Sequence, residues 1–141
     1  MRHYSLLAII FIAIYIMKTL QGGSMALELT DTNYVATIEQ TDVALFIDFY
    51  SPTCGPCHEV FPLLDILETY FGHRACICKV DVTQNPKLAK KYDIQSVPFC
   101  VSIGEDKMIK DYELGAASIE RYIAMIEKAI GNKGFFRRLF G

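Results

Sequence analysis

Hydrophobic residues along this chain follow two patterns: short apolar runs, which are typical of strands, and repeats at helical spacing, which are typical of helices. Residues 43–50 are apolar on both faces of a predicted strand except at Asp48, which is typical of a central strand covered on both sides. Apolar side chains then repeat at helical spacing from Val60 to Phe71, and Gly72 is expected to end that helix. This strand and this helix predict the centre of an α/β domain.

The same two patterns predict the remaining elements. Further strands are expected at residues 27–30, 75–82, 99–103 and 107–112. Further helices are expected from a cap at Asp31 or Thr32 to residue 40, over residues 86–91, and from a cap at Ser118 to residue 130. The order β-α-β-α-β-α-β-β-α predicts a mixed central sheet with helices on both faces. Its antiparallel part is expected to be the hairpin that turns at residues 104–106.

Two cysteines stand where the central strand meets its helix, in the sequence Cys54-Gly55-Pro56-Cys57. The first turn of a helix offers unpaired N–H groups and a partial positive charge, which favour the thiolate, the nucleophilic form of cysteine. A spacing of three lets the second sulfur reach the first, so a disulfide can form and break locally. The pattern therefore predicts thiol–disulfide chemistry.

A zinc-ligand pair is the structural alternative for this spacing. Gly55-Pro56 does not build the turn of a zinc knuckle, and no second Cys or His pair follows at zinc spacing, so no metal is expected. The remaining cysteines, Cys76, Cys78 and Cys100, fall in predicted strands. They are interpreted as small buried hydrophobic residues, and regulation through Cys76 or Cys78 is a secondary hypothesis.

Motifs between about residues 27 and 130 follow one another in a recognisable order. They are Leu29-Thr30-Asp31, Ile47-Asp48-Phe49 before the Cys54–Cys57 motif, Pro62, Lys79-Val80-Asp81-Val82, Gln84-Asn85-Pro86, Val97-Pro98 and Gly115. In order and spacing these motifs resemble the thioredoxin family. The resemblance implies the thioredoxin fold and a protein-disulfide reductase.

The resemblance also implies roles around the cysteine pair. Cys54 is expected to be the attacking nucleophile and Cys57 the resolving thiol, the two joining as a disulfide in the oxidised form, while Gly55 and Pro56 tune the pair toward reduction. Asp48 lies in an apolar strand, where burial raises a carboxyl pKa toward neutrality and suits proton transfer with Cys57. A structural aspartate bonded to backbone is the alternative.

Three further residues are assigned by the resemblance. Lys79 matches the family's lysine near the acid and is a candidate supporting residue, with a solvated strand lysine as the alternative. The Val97–Pro98 bond is expected to be cis, which would expose the Val97 backbone beside Cys54 for pairing with an extended substrate. Gly115 is assigned with Val97 and Pro98 to substrate binding.

The chain departs from the family pattern at the surface around the motif. It contains no Trp, and Thr53 stands immediately before Cys54 where the family usually carries that residue. His58 follows Cys57 where Lys is frequent, and Phe99 follows Pro98 where Thr is typical. These changes alter the expected client surface and leave the dithiol chemistry in place.

Size and charge narrow the function classes. A chain of 141 residues with 52% hydrophobic content is expected to form one folded domain, and a net charge of −2 argues against nucleic acid as a partner. We expect a monomer that acts on client proteins with disulfides, binds no cofactor and draws electrons from an NADPH-linked thioredoxin reductase. The alternatives are an envelope thiol–disulfide oxidoreductase acting on exported proteins and a non-catalytic binding module of the same fold.

The two ends lie outside the domain expected at residues 25–131. Residues 1–24 include an apolar run within residues 4–17, too short for a membrane span but typical of a signal peptide or anchor of an envelope protein. The alternative, that translation begins at Met25, is favoured because residues 21–23 can be encoded by a purine-rich ribosome-binding sequence and the cysteine count is odd. It predicts a cytoplasmic protein.

Residues 132–141 form an aromatic and basic tail. Its composition is compatible with docking on a membrane surface or a partner, whereas folding back onto the domain or fraying is the more common behaviour of such an end.

Overall fold

A five-stranded sheet in the order β1-β3-β2-β4-β5 forms the centre of the computed structural model, which describes residues 5–20 and 25–131. The strands are β1 Leu27–Glu28, β2 Ala44–Tyr50, β3 Ala75–Asp81, β4 Phe99–Ile103 and β5 Ile109–Leu114. The helices are α1 Leu6–Leu20, α2 Tyr34–Gln40, α3 Gly55–Phe71, α4 Pro86–Lys91 and α5 Ile119–Ile130, with a short 3-10 helix at Gly72–Arg74. The mixed α/β fold predicted from the sequence is confirmed.

Strand β2 is the middle strand, and its residues are buried except for the half-buried Tyr50. It pairs in parallel with β3 and antiparallel with β4. The expectation that only the hairpin would be antiparallel was therefore wrong. Connection length identifies antiparallel pairing between consecutive strands, whereas β2 and β4 are distant in sequence and their relative direction is set by the path of the chain between them.

Apolar side chains fill two layers, one on each face of the sheet. The layer beneath α3 and α5 includes Phe46, Leu64 and Tyr122. The opposite layer includes Leu45, Phe49 and Leu88 of α4, with Ile38 of α2 packed against it. Alternation along β2 sends successive side chains into different layers, which is why this strand reads as apolar on both faces.

Two predicted helix caps have different outcomes. Ser118 accepts a hydrogen bond from the Arg121 N–H and caps α5, as predicted. Asp31 and Thr32 do not cap α2, whose N-cap is Asn33. The Asp31 carboxylate instead accepts from the N–H groups of Lys87 and Leu88, in the first turn of α4. The carboxylate thus serves another helix whose free N–H groups lie close in space.

Two strand boundaries also differ from the prediction. Strand β5 begins at Ile109, because Lys107 takes a positive φ of 65° in the turn. Strand β1 is only two residues long, since it pairs with β3 only at Leu27 and Glu28.

The predicted end of helix α3 agrees with the structure. Gly72 ends α3 with a φ of 54°, as expected for a glycine stop.

Helix α1 carries the apolar run of the N-terminal segment. Its described large side chains, such as Leu6 and Phe11, are exposed. Among the described helices, none combines the length and apolar content that a membrane span requires. Residues 1–4, 21–24 and the tail at 132–141 lie outside the described residues.

Candidate active site

The loop after β2 and the first turn of α3 place the two cysteines. Cys54 is the N-cap of α3, and its Sγ accepts a hydrogen bond from the Cys57 N–H at 3.3 Å. The two residues form a disulfide, with their Cα atoms 5.3 Å apart. Cys54 is half-buried and Cys57 is fully buried, while Gly55 and Pro56 are exposed between them. This arrangement gives an outside sulfur that a partner can reach and an inside sulfur one turn further on.

Asp48 lies in the middle of the sheet with no exposed surface. Burial raises the pKa of its carboxyl to about 7 because the ionised form loses solvation, and this outweighs the lowering by Cys100 and Lys79. Its Oδ2 has no hydrogen-bond partner among the described residues. A carboxyl that changes protonation near neutral pH can exchange a proton in a thiol reaction.

Lys79 is the neighbour of Asp48 in the register of β2 and β3. Its Nζ lies 3.7 Å from Oε2 of Glu28 on β1, and the Tyr50 hydroxyl donates to Oε1 of the same carboxylate at 2.9 Å. Glu28 thus partly offsets the positive charge that Lys79 presents to Asp48. No local feature of the sequence marks Glu28, because only the pairing of β1 with β3 brings it to Lys79.

The loop before β4 approaches the outer cysteine. The Val97–Pro98 peptide bond is cis, as the resemblance implied, and the Val97 carbonyl oxygen lies 3.6 Å from Cys54 Sγ. The Gly115 N–H donates to the Pro98 carbonyl at 2.8 Å, with Gly115 at a φ of 86° that favours glycine. The structure therefore brings Val97, Pro98 and Gly115 to the side of the cysteine pair.

The surface around the motif carries the chain's departures from the thioredoxin pattern that its motifs resemble. Thr53 is exposed, with its hydroxyl 3.2 Å from that of Ser51. His58 is exposed, and its Nε2 lies 3.1 Å from the Pro52 carbonyl oxygen. Phe99 stacks on Tyr112 with ring centroids 5.8 Å apart. Thr53 thus leaves a small polar residue next to Cys54, whereas the Phe99 ring packs in the layer opposite α3.

The other three cysteines lie in the sheet. Cys76 and Cys78 sit on one face of β3 with their sulfurs 3.5 Å apart, Cys78 buried and Cys76 half-buried. Cys100 is buried and donates to Asp48 Oδ1 at 3.5 Å. From the sequence, Cys100 is predicted only to be a small buried hydrophobic residue. The antiparallel register of β2 and β4, which pairs it with Asp48, has no local signal in the sequence.

Metal binding was the alternative use of the cysteine pair. Within residues 5–20 and 25–131, the structure contains no group of three or more His, Cys, Asp or Glu side chains arranged to hold a metal ion. Cys54 and Cys57 are bonded to each other, so their geometry is that of a redox disulfide.

Comparison with known proteins agrees with this geometry. The family model described as Thioredoxin matches residues 25–128. A thioredoxin from Chlorobaculum thiosulfatiphilum is 33% identical over 104 residues, which cover 74% of this chain and 95% of the relative. Thioredoxin 2 from Chlorobaculum tepidum is 32% identical over 104 residues, covering 74% of this chain and 94% of the relative.

Solved structures share the fold. A mutant thioredoxin from Halobacterium salinarum superposes with a TM-score of 0.66 at 24% identity, covering 74% of this chain and 90% of that one. Chloroplastic thioredoxin z superposes equally well, with a TM-score of 0.66 at 24% identity, covering 72% of this chain and 90% of that one. The family model covers most of the chain, and the disulfide at the start of α3 joins the two cysteines of the motif. The chain therefore belongs to the thioredoxin family of thiol–disulfide oxidoreductases.

Proposed function

We propose that this protein reduces disulfides in client proteins, with Cys54 as the attacking group and Cys57 as the resolving group. The observation that carries the proposal is the unequal exposure of the two sulfurs: Cys54 is half-buried at the N-terminus of α3 and Cys57 is fully buried. The helix N-terminus stabilises a thiolate at Cys54, where the Cys57 N–H already points at the sulfur.

The exchange proceeds in two steps. The Cys54 thiolate attacks one sulfur of the client disulfide, forming a mixed disulfide and releasing the other client sulfur as a thiolate. Cys57 then loses its proton, and its sulfur attacks Cys54, which breaks the mixed disulfide and releases the second client thiolate. Two electrons pass from the dithiol to the client, and Cys54 and Cys57 end as the disulfide seen in the structure.

Asp48 is the proposed proton acceptor for Cys57. Its carboxyl is buried in the layer covered by α3, and its pKa of about 7 lets it take up a proton and return it near neutral pH. Lys79 supports the ionised form from the adjacent strand. The Val97 backbone, 3.6 Å from Cys54 Sγ at its carbonyl oxygen, is the proposed pairing edge for an extended client segment.

An NADPH-linked thioredoxin reductase is the proposed electron donor. A relative from Mycobacterium leprae, named a bifunctional thioredoxin reductase/thioredoxin, is 27% identical over 82 residues, which cover 58% of this chain and 18% of that protein. Its name places both activities in one chain. We propose that here the reductase is a separate protein and that this chain acts as a monomer.

Insulin reduction with dithiothreitol or a reductase as electron donor tests the proposal. Cys54→Ser should abolish turnover, and Cys57→Ser should accumulate mixed disulfides with clients because the resolving thiol is gone. Cys78→Ser is the matched control, since Cys78 is a buried thiol in the opposite layer and should leave turnover unchanged. Full activity in Cys54→Ser would contradict the mechanism.

We propose further that the working protein begins at Met25 and acts in the cytoplasm. The Met25 N lies 2.7 Å from Asp65 Oδ1, so a free amino terminus there would meet a carboxylate. Intact mass and cell fractionation of the native protein test this. A soluble species starting at Met25 or Ala26 supports the proposal, and a membrane-bound or periplasmic species contradicts it and favours the envelope oxidoreductase.

A further inference from the structure

Cys100 is a third thiol in contact with the proposed acid–base group. It is the antiparallel register partner of Asp48, and its Sγ lies 3.5 Å from Asp48 Oδ1. Neither residue has any exposed surface. Water does not reach this place, so no water could replace the hydrogen bond if it were lost. Losing the bond would therefore destabilise the ionised form of the Asp48 carboxyl group.

The chemistry of the two groups fixes the direction of this contact. An ionised carboxylate carries no hydrogen and can only accept, so the Cys100 thiol is the donor to Asp48 Oδ1. The Tyr122 hydroxyl, in the same apolar layer, accepts from the Ala117 N–H at 3.0 Å.

The contact leaves the two carboxylate oxygens in different states. Oδ1 accepts from Cys100, whereas Oδ2 has no hydrogen-bond partner among the described residues. The elements around Asp48 bring five other polar or charged groups, namely Lys79 on β3, Glu28 on β1, Tyr50 on β2, Tyr122 on α5 and, beyond Cys100, Glu113 on β5. Cys100 is the hydrogen-bond donor that the structure shows for Asp48 among them.

We propose that Cys100 is a positioning residue for thiol–disulfide exchange: its thiol holds Oδ1 of Asp48, leaves Oδ2 to exchange the proton of Cys57, and so sets the pH range of the reaction. This inference rests on the proposed function of Asp48. A donor to the carboxylate stabilises its ionised form, which opposes the effect of burial on its pKa. Without that donor the acid would stay protonated to higher pH and would be unable to accept the Cys57 proton near neutrality.

Two substitutions at Cys100 separate donation from packing. Cys100→Val replaces the thiol by an apolar side chain that has no donor, and Cys100→Ser keeps a donor. We expect Cys100→Val to raise the pKa of Asp48, measured by ¹³C titration of its carboxyl in the reduced protein. The limb of the pH–rate profile of insulin reduction that follows the ionisation of Asp48 should move to higher pH by about one unit. Cys100→Ser should leave both at or below the wild-type position.

Controls distinguish this role from a structural one. Cys78→Val changes a buried thiol in the opposite layer and should move neither the titration nor the limb. In an Asp48→Asn background, Cys100→Val should have no further effect on the profile. Thermal unfolding of each variant records any loss of packing separately.

The outcomes are distinct. A raised Asp48 titration in Cys100→Val, matched by the shifted limb, supports the proposal. If the Asp48 titration is unchanged in Cys100→Val, the proposal is wrong. It is also wrong if the titration shifts but the limb of the pH–rate profile does not.

In that second outcome, Asp48→Asn identifies the step that fails. If Asp48→Asn keeps the wild-type limb, the proposed function of Asp48 is wrong. If Asp48→Asn loses the limb, that function stands and only the role of Cys100 is rejected.

Discussion

Asp48 and Asp111 lie on strands of the same sheet, and their surroundings change the carboxyl pKa in opposite directions. Burial raises the pKa of Asp48 to about 7, whereas hydrogen bonds from Arg121 hold the pKa of Asp111 at about 2. Asp111 accepts from the two Arg121 terminal nitrogens at 3.0 and 3.1 Å. Lys79, the nearest cation to Asp48 in the register, is instead turned to Glu28.

The difference shows what a carboxylate needs in order to stay ionised. At the surface, a planar guanidinium at contact distance supplies two donors and water supplies the rest. In the core, one thiol donor and a cation engaged with another acid do not replace the lost hydration. Asp111 therefore belongs to a structural ion pair, and Asp48 is left with a proton that it can exchange near neutral pH.

The largest predicted effect is on stability when the buried charge is removed. Because the folded-state pKa of Asp48 lies above its ordinary 3.8, the folded state binds this proton more tightly than the unfolded state. Asp48 therefore lowers the free energy of unfolding progressively as pH rises from about 4 to 7, with a constant cost above that range. A pKa of about 7 in place of 3.8 corresponds to a cost on the order of 4 kcal/mol.

Asp48→Asn should thus stabilise the oxidised protein above pH 7, and the gain should vanish near pH 4. Denaturant unfolding of the wild type and the variant across that range measures the difference in their free energies of unfolding. Because the other titrating groups are common to both proteins, their contributions cancel in this difference. Turnover of the variant should fall near neutral pH, since Cys57 loses its proton acceptor. A pH-independent difference in stability would contradict the comparison.

A smaller effect of opposite sign is predicted at the surface. Asp111→Asn should destabilise the domain by about 1 kcal/mol or less, because ion pairs that keep contact with solvent are screened and contribute little. The folded-state pKa of Asp111 lies below its ordinary value, so its contribution is present above about pH 4 and is lost as pH falls toward 2. Chemical denaturation at low and high salt checks this, and turnover should not change.

The smallest predicted effect refines the electrostatics of Asp48 itself. Lys79→Met removes a positive charge that favours the ionised carboxylate, so the pKa of Asp48 should rise. The rise should be roughly a few tenths of a pKa unit, because the effective dielectric constant around partly exposed charges is high. Glu28→Gln is the matched control, because Glu28 acts in the opposite sense and its removal should lower that pKa. Carboxyl ¹³C titration of both variants measures the two directions, and equal shifts of one sign would contradict the assignment.

Much of the fold could be predicted because its signals are local. The apolar run of β2, the helical spacing in α3, the proline at the start of α4 and the Ser118 cap each appear within a few residues of sequence. The failures were pairings at long range. Asp31 caps α4 instead of its own helix, and β4 lies antiparallel to β2, because both depend on which segments meet in space.

The site divides in the same way. By itself, the sequence determined the dithiol, its position at a helix start and an acid in an apolar strand, since each follows from residue types at fixed local spacing. Tertiary structure alone decided that Val97 meets Cys54, that Glu28 engages Lys79, and that Cys100 donates to Asp48. The reason is physical: strand register and burial set these distances and the loss of hydration, and neither is a property of any short segment of the chain.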